Sequence, residues 1–152
     1  YIIISNAWHN PRILMELHDE ISGFFAQVRD NLDFVALTAA LQRNNISHYI
    51  YFVATGNIKL ITHADSYISL RCHRRLVKVN SRSCPELTRL AANRIFSGKS
   101  NYEQFYNELA QAGVFKWVVD LNNQTRFYWS KDNTLLHSEN IFTPIKEIEM
   151  AI

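Results

Sequence analysis

Residues 33–53 and 101–121 overlay without a gap at a shift of 68 positions. The overlay sets Phe34 on Tyr102, Leu37 on Phe105, Leu41 on Leu109, Asn45 on Gly113, Ile46 on Val114, Tyr49 on Trp117, Ile50 on Val118 and Val53 on Leu121. Size, polarity and turn chemistry agree together. The chain therefore reads as two copies of one supersecondary unit, which constrains architecture far more than activity.

Each copy opens with apolar residues at i, i+3 and i+7, a single buried stripe on a helix: Phe34, Leu37, Leu41 and then Tyr102, Phe105, Leu109. Asn45 and Gly113 follow at the same repeat position, and both residue types readily take the left-handed conformation that ends a helix. Aromatic and β-branched residues come next, so strands are expected over 48–53 and 116–121. Period-2 geometry assigns Tyr49, Tyr51, Val53 and Trp117, Val119, Leu121 to the core. It leaves His48, Ile50, Phe52 and Lys116, Val118, Asp120 on a partly wet face. Turns at 54–57 and 122–124 lead into return strands near 58–62 and 125–129.

A further helix precedes each unit. Asn10-Pro11 opens one that runs to about Arg29, and Ser83-Cys84-Pro85-Glu86 opens another, with capping-box spacing between Ser83 and Glu86, that stops near Gly98. Short strands are expected at 67–70, 76–79 and 135–138, and a short terminal helix after Thr143-Pro144. The expected fold is α+β: a single domain, 1–152, of two helix-helix-strand-strand repeats whose antiparallel sheet packs against helices. Repeat 1 spans about 11–62 and repeat 2 about 83–138, with a basic connecting segment at 63–82 and a C-terminal extension at 139–152.

A chain of 152 residues is the size of one ordinary domain. No stretch approaches the ~20 apolar residues that cross a bilayer, so no membrane partner is expected. Cys72 and Cys84 are too few for a disulfide framework and read as free thiols in a reducing cytoplasm, the expected setting. The net charge of +2 hides a segregation, because residues 59–99 hold 9 Lys and Arg against 2 Asp and Glu while both flanks are mildly acidic. Such asymmetry is the footprint of a polyanion partner or of a solvated connection between acidic flanks.

Gly98, Tyr102, Phe105 and the run Ala112-Gly113-Val114-Phe115-Lys116-Trp117-Val118-Val119-Asp120, followed by an aromatic return strand, resemble the YbcV-like family of small bacterial and prophage proteins, sometimes labelled phage envelope protein. His48-Tyr49 and Val53-Ala54-Thr55-Gly56 fit the same pattern, and the similarity covers about residues 20–140. The resemblance implies a compact α+β domain with an antiparallel sheet and brings no catalytic residues. Thr55 stands where the family usually has Asp before the hairpin glycine, and residues 58–63 replace its Gly- and Tyr-containing segment.

His63, Asp65, Cys72 and His73 offer ligand types without the pair spacing of a zinc site, so no metal and no cofactor are expected. Cys84, at a helix N-terminus, is the better placed of the two thiols, but no nucleophile elbow, phosphate loop or dinucleotide fingerprint accompanies it. Asp120 stands where the first copy has Phe52; with Lys116 on the same strand face and His48 on the corresponding strand of the other copy, it forms the candidate catalytic set. Arg71, Arg74, Arg75 and Lys78 form the candidate binding set, offering weak nucleic-acid binding through 71–82, although no interleaved aromatics or helix-turn-helix support it.

The leading expectation is a non-enzymatic prophage-type accessory module whose partner is a protein, another copy of itself included. The alternative is a small enzyme or ligand-binding protein with a cleft between the two repeats.

Overall fold

A computed structural model describes residue 19, residues 31–72 and residues 74–141. Among them the chain forms α1 (Asn31–Arg43), β1 (Ile46–Phe52), β2 (Ile58–Thr62), β3 (Tyr67–Leu70), α2 (Pro85–Phe96), α3 (Tyr102–Gln111), β4 (Val114–Asp120), β5 (Thr125–Ser130) and β6 (Leu135–Asn140). The helices expected at 10–29 and after Thr143, and the side chain of Phe34, lie outside the described residues.

Local chemistry accounts for the boundaries. α1 and α3 are both followed by the expected left-handed residue, with φ of 63° at Asn45 and 81° at Gly113. α3 starts in a full capping box: the Asn101 side chain accepts from the Gln104 backbone N–H, and the Gln104 side chain accepts from that of Asn101. At α2 the expected box between Ser83 and Glu86 does not form. The cap is Cys84, with Pro85 in the first turn, so Ser83 stands one residue too early and Glu86 pairs with Arg89 instead.

The six strands form one antiparallel sheet in the order β3-β2-β1-β4-β5-β6. β1 and β4 meet at its centre, with Ile50 opposite Val118, the same two residues the sequence overlay matches. Both strands break register at overlaid positions, between Ile46 and His48 and between Val114 and Lys116. These bulges turn the incoming chain from its helix into the sheet.

The strand expected at 76–79 is absent. Its backbone bonds go to two different elements, Val77 N–H to the Ala54 carbonyl (3.0 Å) and Asn80 N–H to the Ala110 carbonyl (2.8 Å), and so it joins no ladder. Val79 is nevertheless buried, which makes the connection part of the core edge.

One face of the sheet carries that core. Tyr49, Tyr51, Val53, Trp117, Val119 and Leu121 are at most 2% exposed, as period-2 geometry requires. They pack with Leu37 and Leu41 of α1, Ala91, Ala92 and Ile95 of α2, and Phe105 and Leu109 of α3. Tyr51 stacks on Trp117 with centroids 3.9 Å apart, and Phe105 approaches the same indole at 5.3 Å. Each such ring contributes about 1.5–3 kcal/mol by burial, and well-placed pairs add to it.

Candidate functional site

Alternation sends His48, Ile50 and Phe52 of β1 and Lys116, Val118 and Asp120 of β4 to the face away from the core, where all six are half-buried. Lys59 and Ile61 of β2, Tyr67 and Ser69 of β3, and Thr125, Phe127 and Trp129 of β5 share that face through the strand register. It is an apolar and aromatic surface with polar groups at its ends.

The catalytic candidates do not converge. His48 and Asp120 are cross-strand partners, with His48 Nε2 3.6 Å from Asp120 Oδ2. Lys116 instead pairs with Phe52, and four strand residues separate it from Asp120 by about 13 Å. Asp120 is also committed locally: it accepts from the backbone N–H groups of Asn122 (3.0 Å) and Asn123 (3.1 Å) and from Asn123 Nδ2 (2.9 Å). Burial opposes its ionisation, but the Asn123 bonds and the nearby His48 outweigh that and hold the carboxyl below its ordinary range. These bonds to Asn122 and Asn123 close the β4–β5 turn. Asp120 differs from its counterpart Phe52 because the second hairpin uses a carboxylate to hold its tip.

The basic candidates also separate. Arg74 turns inward: Nε and Nη2 donate to the Tyr51 hydroxyl at 3.3 and 3.2 Å, Nη2 also reaches the Val53 carbonyl, and the guanidinium lies 3.9 Å over the Tyr106 ring. Tyr51 in turn shares a hydroxyl–hydroxyl hydrogen bond with Tyr102. Burial leads the forces that push the Tyr51 phenol well above its usual value, so it remains protonated. Arg71, Arg75 and Lys78 are exposed.

At the Lys116 end of this face, Phe52, Ala54, Thr55, Asn57, Lys59, Ser69, Arg71 and Phe115 border a groove of about 310 Å³. Phe52 and Phe115 meet edge to face, 5.9 Å apart. The potential ligand types His63 and Asp65 sit in the β2–β3 turn, whereas Cys72 follows β3 at its other end; His73 lies outside the described residues. Among the described residues no group of three or more His, Cys, Asp or Glu is placed to hold a metal ion. Cys84 is half-buried at the α2 cap, its N–H on the Ala112 carbonyl at 2.8 Å.

Sequence reasoning missed the most strongly coupled group of charges. Arg126 of β5, 2% exposed, donates from Nη1 to Glu139 Oε2 on β6 at 2.5 Å. The Tyr128 hydroxyl donates to the same oxygen at 2.8 Å, and His137 Nε2 lies 3.1 Å from Oε1. The Phe96 ring of α2 covers the guanidinium at 4.1 Å. Burial disfavours charge on Glu139, yet the His137 hydrogen bond, the Arg126 charge and Tyr128 together keep its carboxyl below the ordinary value. Burial and the adjacent carboxylate push the Tyr128 phenol far up. The Arg126 guanidinium and the Glu139 carboxylate face each other, and the cluster clasps β5, β6 and α2 together. The signal available in sequence was Arg126 at an inward strand position, opposite Val119.

The fold and these local devices define a small α+β domain, and residues 22–140 match the family described as Protein of unknown function (DUF1398), to which the chain belongs. It is 42% identical over 117 residues to "Uncharacterized protein YcgX" of Escherichia coli (strain K12), covering 77% of this chain and 87% of that protein. It is 33% identical over 117 residues to "Uncharacterized protein YbcV" of the same organism, covering 77% and 86%. These relatives support the YbcV-like resemblance and the bacterial character of the family, and their descriptions carry no activity. Among the described residues no helix is long and apolar enough to cross a membrane.

Proposed function

We propose that this protein is a non-enzymatic protein-interaction module, a prophage-type accessory domain working in the bacterial cytoplasm, and that it engages a protein partner through the open face of its sheet. The observation that carries the reading is the composition of that face. Ile50, Phe52, Val118, Phe127 and Trp129 lie half-buried across three adjacent strands, with Tyr67 64% exposed on β3 and Leu135 44% exposed on β6 at its flanks. Contiguous apolar surface of this kind is what protein contacts use, whereas scattered exposed side chains are ordinary.

The chemistry elsewhere supports the same reading. Asp120 holds the β4–β5 turn through Asn122 and Asn123, Arg74 is spent on Tyr51 and Tyr106, and Arg126 is paired with Glu139. A photo-crosslinking residue at Phe127, compared with one at the exposed Leu87 on the outer side of α2, tests the proposal in bacteria. A discrete protein adduct from position 127, competed by excess purified chain and absent from position 87, is expected. Equal adducts from both positions, or none from 127, would overturn it.

A further inference from the structure

Arg74 stands in the connection between β3 and α2 and turns its guanidinium into a pocket beside the end of β1. The Tyr106 ring lies under the guanidinium at 3.9 Å, and the Tyr51 ring flanks it at 5.8 Å. Tyr102 stands steeply to both, at 84° to Tyr51 and 72° to Tyr106, so the three rings form the corner of an aromatic cage. Three acceptors meet the planar fork: the Tyr51 hydroxyl (3.2 Å), the Arg75 carbonyl (3.0 Å) and the Val53 carbonyl. Gly56 makes a further wall, because an added Cβ there would lie 2.6 Å from Arg74 Nε. Ring faces attract a cation, and the spread of acceptors suits a guanidinium better than an ammonium.

The walls and the occupant come from different parts of the chain. All three rings, the Val53 carbonyl and Gly56 belong to β1, the turn after it and α3. Arg74 comes from a surface connection in which Arg75 is exposed and Leu76 is 70% exposed. Its flanking ties are the Cys72 N–H on Asn57 Oδ1 (2.9 Å) and the Val77 N–H on the Ala54 carbonyl (3.0 Å). The connection can therefore lift locally while the cage keeps its shape.

We propose that this cage is a guanidinium-binding seat, filled in the resting chain by Arg74, and that an arginine side chain of the protein partner takes it by exchange. The chemistry of the incoming group is the chemistry the seat already holds. That the arginine belongs to a protein rests on the interaction reading above, whereas the seat itself does not.

NMR of the ¹⁵N-labelled chain with agmatine and with the capped tripeptide acetyl-Gly-Arg-Gly-amide tests the proposal. Arg74→Ala opens the seat, so both probes should bind it saturably, with shifts at residues 51–56 and 102–106, and should restore stability that the substitution removes. Putrescine, the ammonium counterpart of agmatine, should bind at least about tenfold more weakly, because it lacks the planar fork. In the wild type both probes should bind more weakly than in Arg74→Ala, since Arg74 competes from within the chain, and the Arg74 Nε–H signal should move as the side chain leaves. The wild-type arm needs no substitution, so it decides the matter even if Arg74→Ala does not fold.

The proposal is overturned by equal binding of putrescine, by no saturable shift in either chain, or by an Arg74 signal that no probe moves up to its solubility. Binding of agmatine without the tripeptide also overturns it, and makes the seat one for small free guanidines. If the position-127 adduct forms while both probes fail, the interaction reading stands and the arginine exchange falls. If the probes bind while no adduct forms, the seat stands and the sheet-face contact does not.

Discussion

Glu139→Gln is the sharpest stability test, because it keeps the shape of the side chain and removes the charge that faces buried Arg126. In the wild type one carboxylate oxygen accepts from both Arg126 Nη1 and the Tyr128 hydroxyl, while the other meets His137. Removing one partner of a buried ion pair costs about 3–5 kcal/mol, mostly through the uncompensated charge left behind. For a domain of this size that corresponds to a fall in Tm on the order of 10 °C or more. The wild type should also show the linked pH dependence. The folded carboxyl titrates below its ordinary value of 4.5. Its stabilisation is therefore complete above that value and is lost as the pH falls through the lower folded one, and Glu139→Gln should remove this component. Urea unfolding at several pH values reads both effects. A loss under about 1 kcal/mol with an unchanged acid limb would refute the claim that this cluster clasps β5, β6 and α2.

Other consequences can be checked by the same denaturation measurements. At Gly113 the backbone is left-handed, and an added Cβ would lie 2.6 Å from the Arg82 carbonyl oxygen and 2.6 Å from Ser83 Cα; Gly113→Ala should cost more than about 2 kcal/mol, the conformational penalty plus a backbone clash. Asn45→Ala, at the overlaid position without that crowding, should cost about 1 kcal/mol, and the reverse ranking would contradict the placement of the 82–83 backbone. Asp120→Ala removes three hydrogen bonds at the β4–β5 turn and should cost about 1–2 kcal/mol at neutral pH, less as the pH falls through the depressed folded value of this carboxyl. Arg74→Met strips the Tyr51 hydroxyl and Val53 carbonyl of a charged donor, and a loss of about 1–3 kcal/mol is expected; no change would mean that water replaces the guanidinium at no cost.

Much of the fold was legible because its signals were local and periodic. The left-handed residues at Asn45 and Gly113, the alternation of Tyr49, Tyr51 and Val53, and its echo in Trp117, Val119 and Leu121 each act within a few residues of chain. The segment at 76–79 misled for the complementary reason. Its alternation suits a strand, but its N–H groups answer to carbonyls of a turn and a helix end far away in sequence.

The polar sites show the same limit more strongly. His48 and Asp120 do meet, because β1 pairs β4 through overlaid positions, yet Lys116 belongs to the opposite end of the same face. Nothing in a list of residues says that Arg74 folds under Tyr106 while its neighbour Arg75 stays exposed. Arg126 and Glu139 are 13 positions apart on different strands, so their pairing needed the β5–β6 register.

The central proposal is that the sheet face away from the helices α1–α3 engages a protein partner. Phe127→Ser addresses it directly, since Phe127 lies on that face, half-buried and outside the main core. We expect the purified variant to lose no more than about 2 kcal/mol of stability, the share of ring burial that a half-buried side chain gives up. A crosslinking residue at the neighbouring Trp129 should capture the partner in the wild type and lose that adduct when Phe127→Ser is added. Large destabilisation, or an adduct that survives the substitution, would contradict the account.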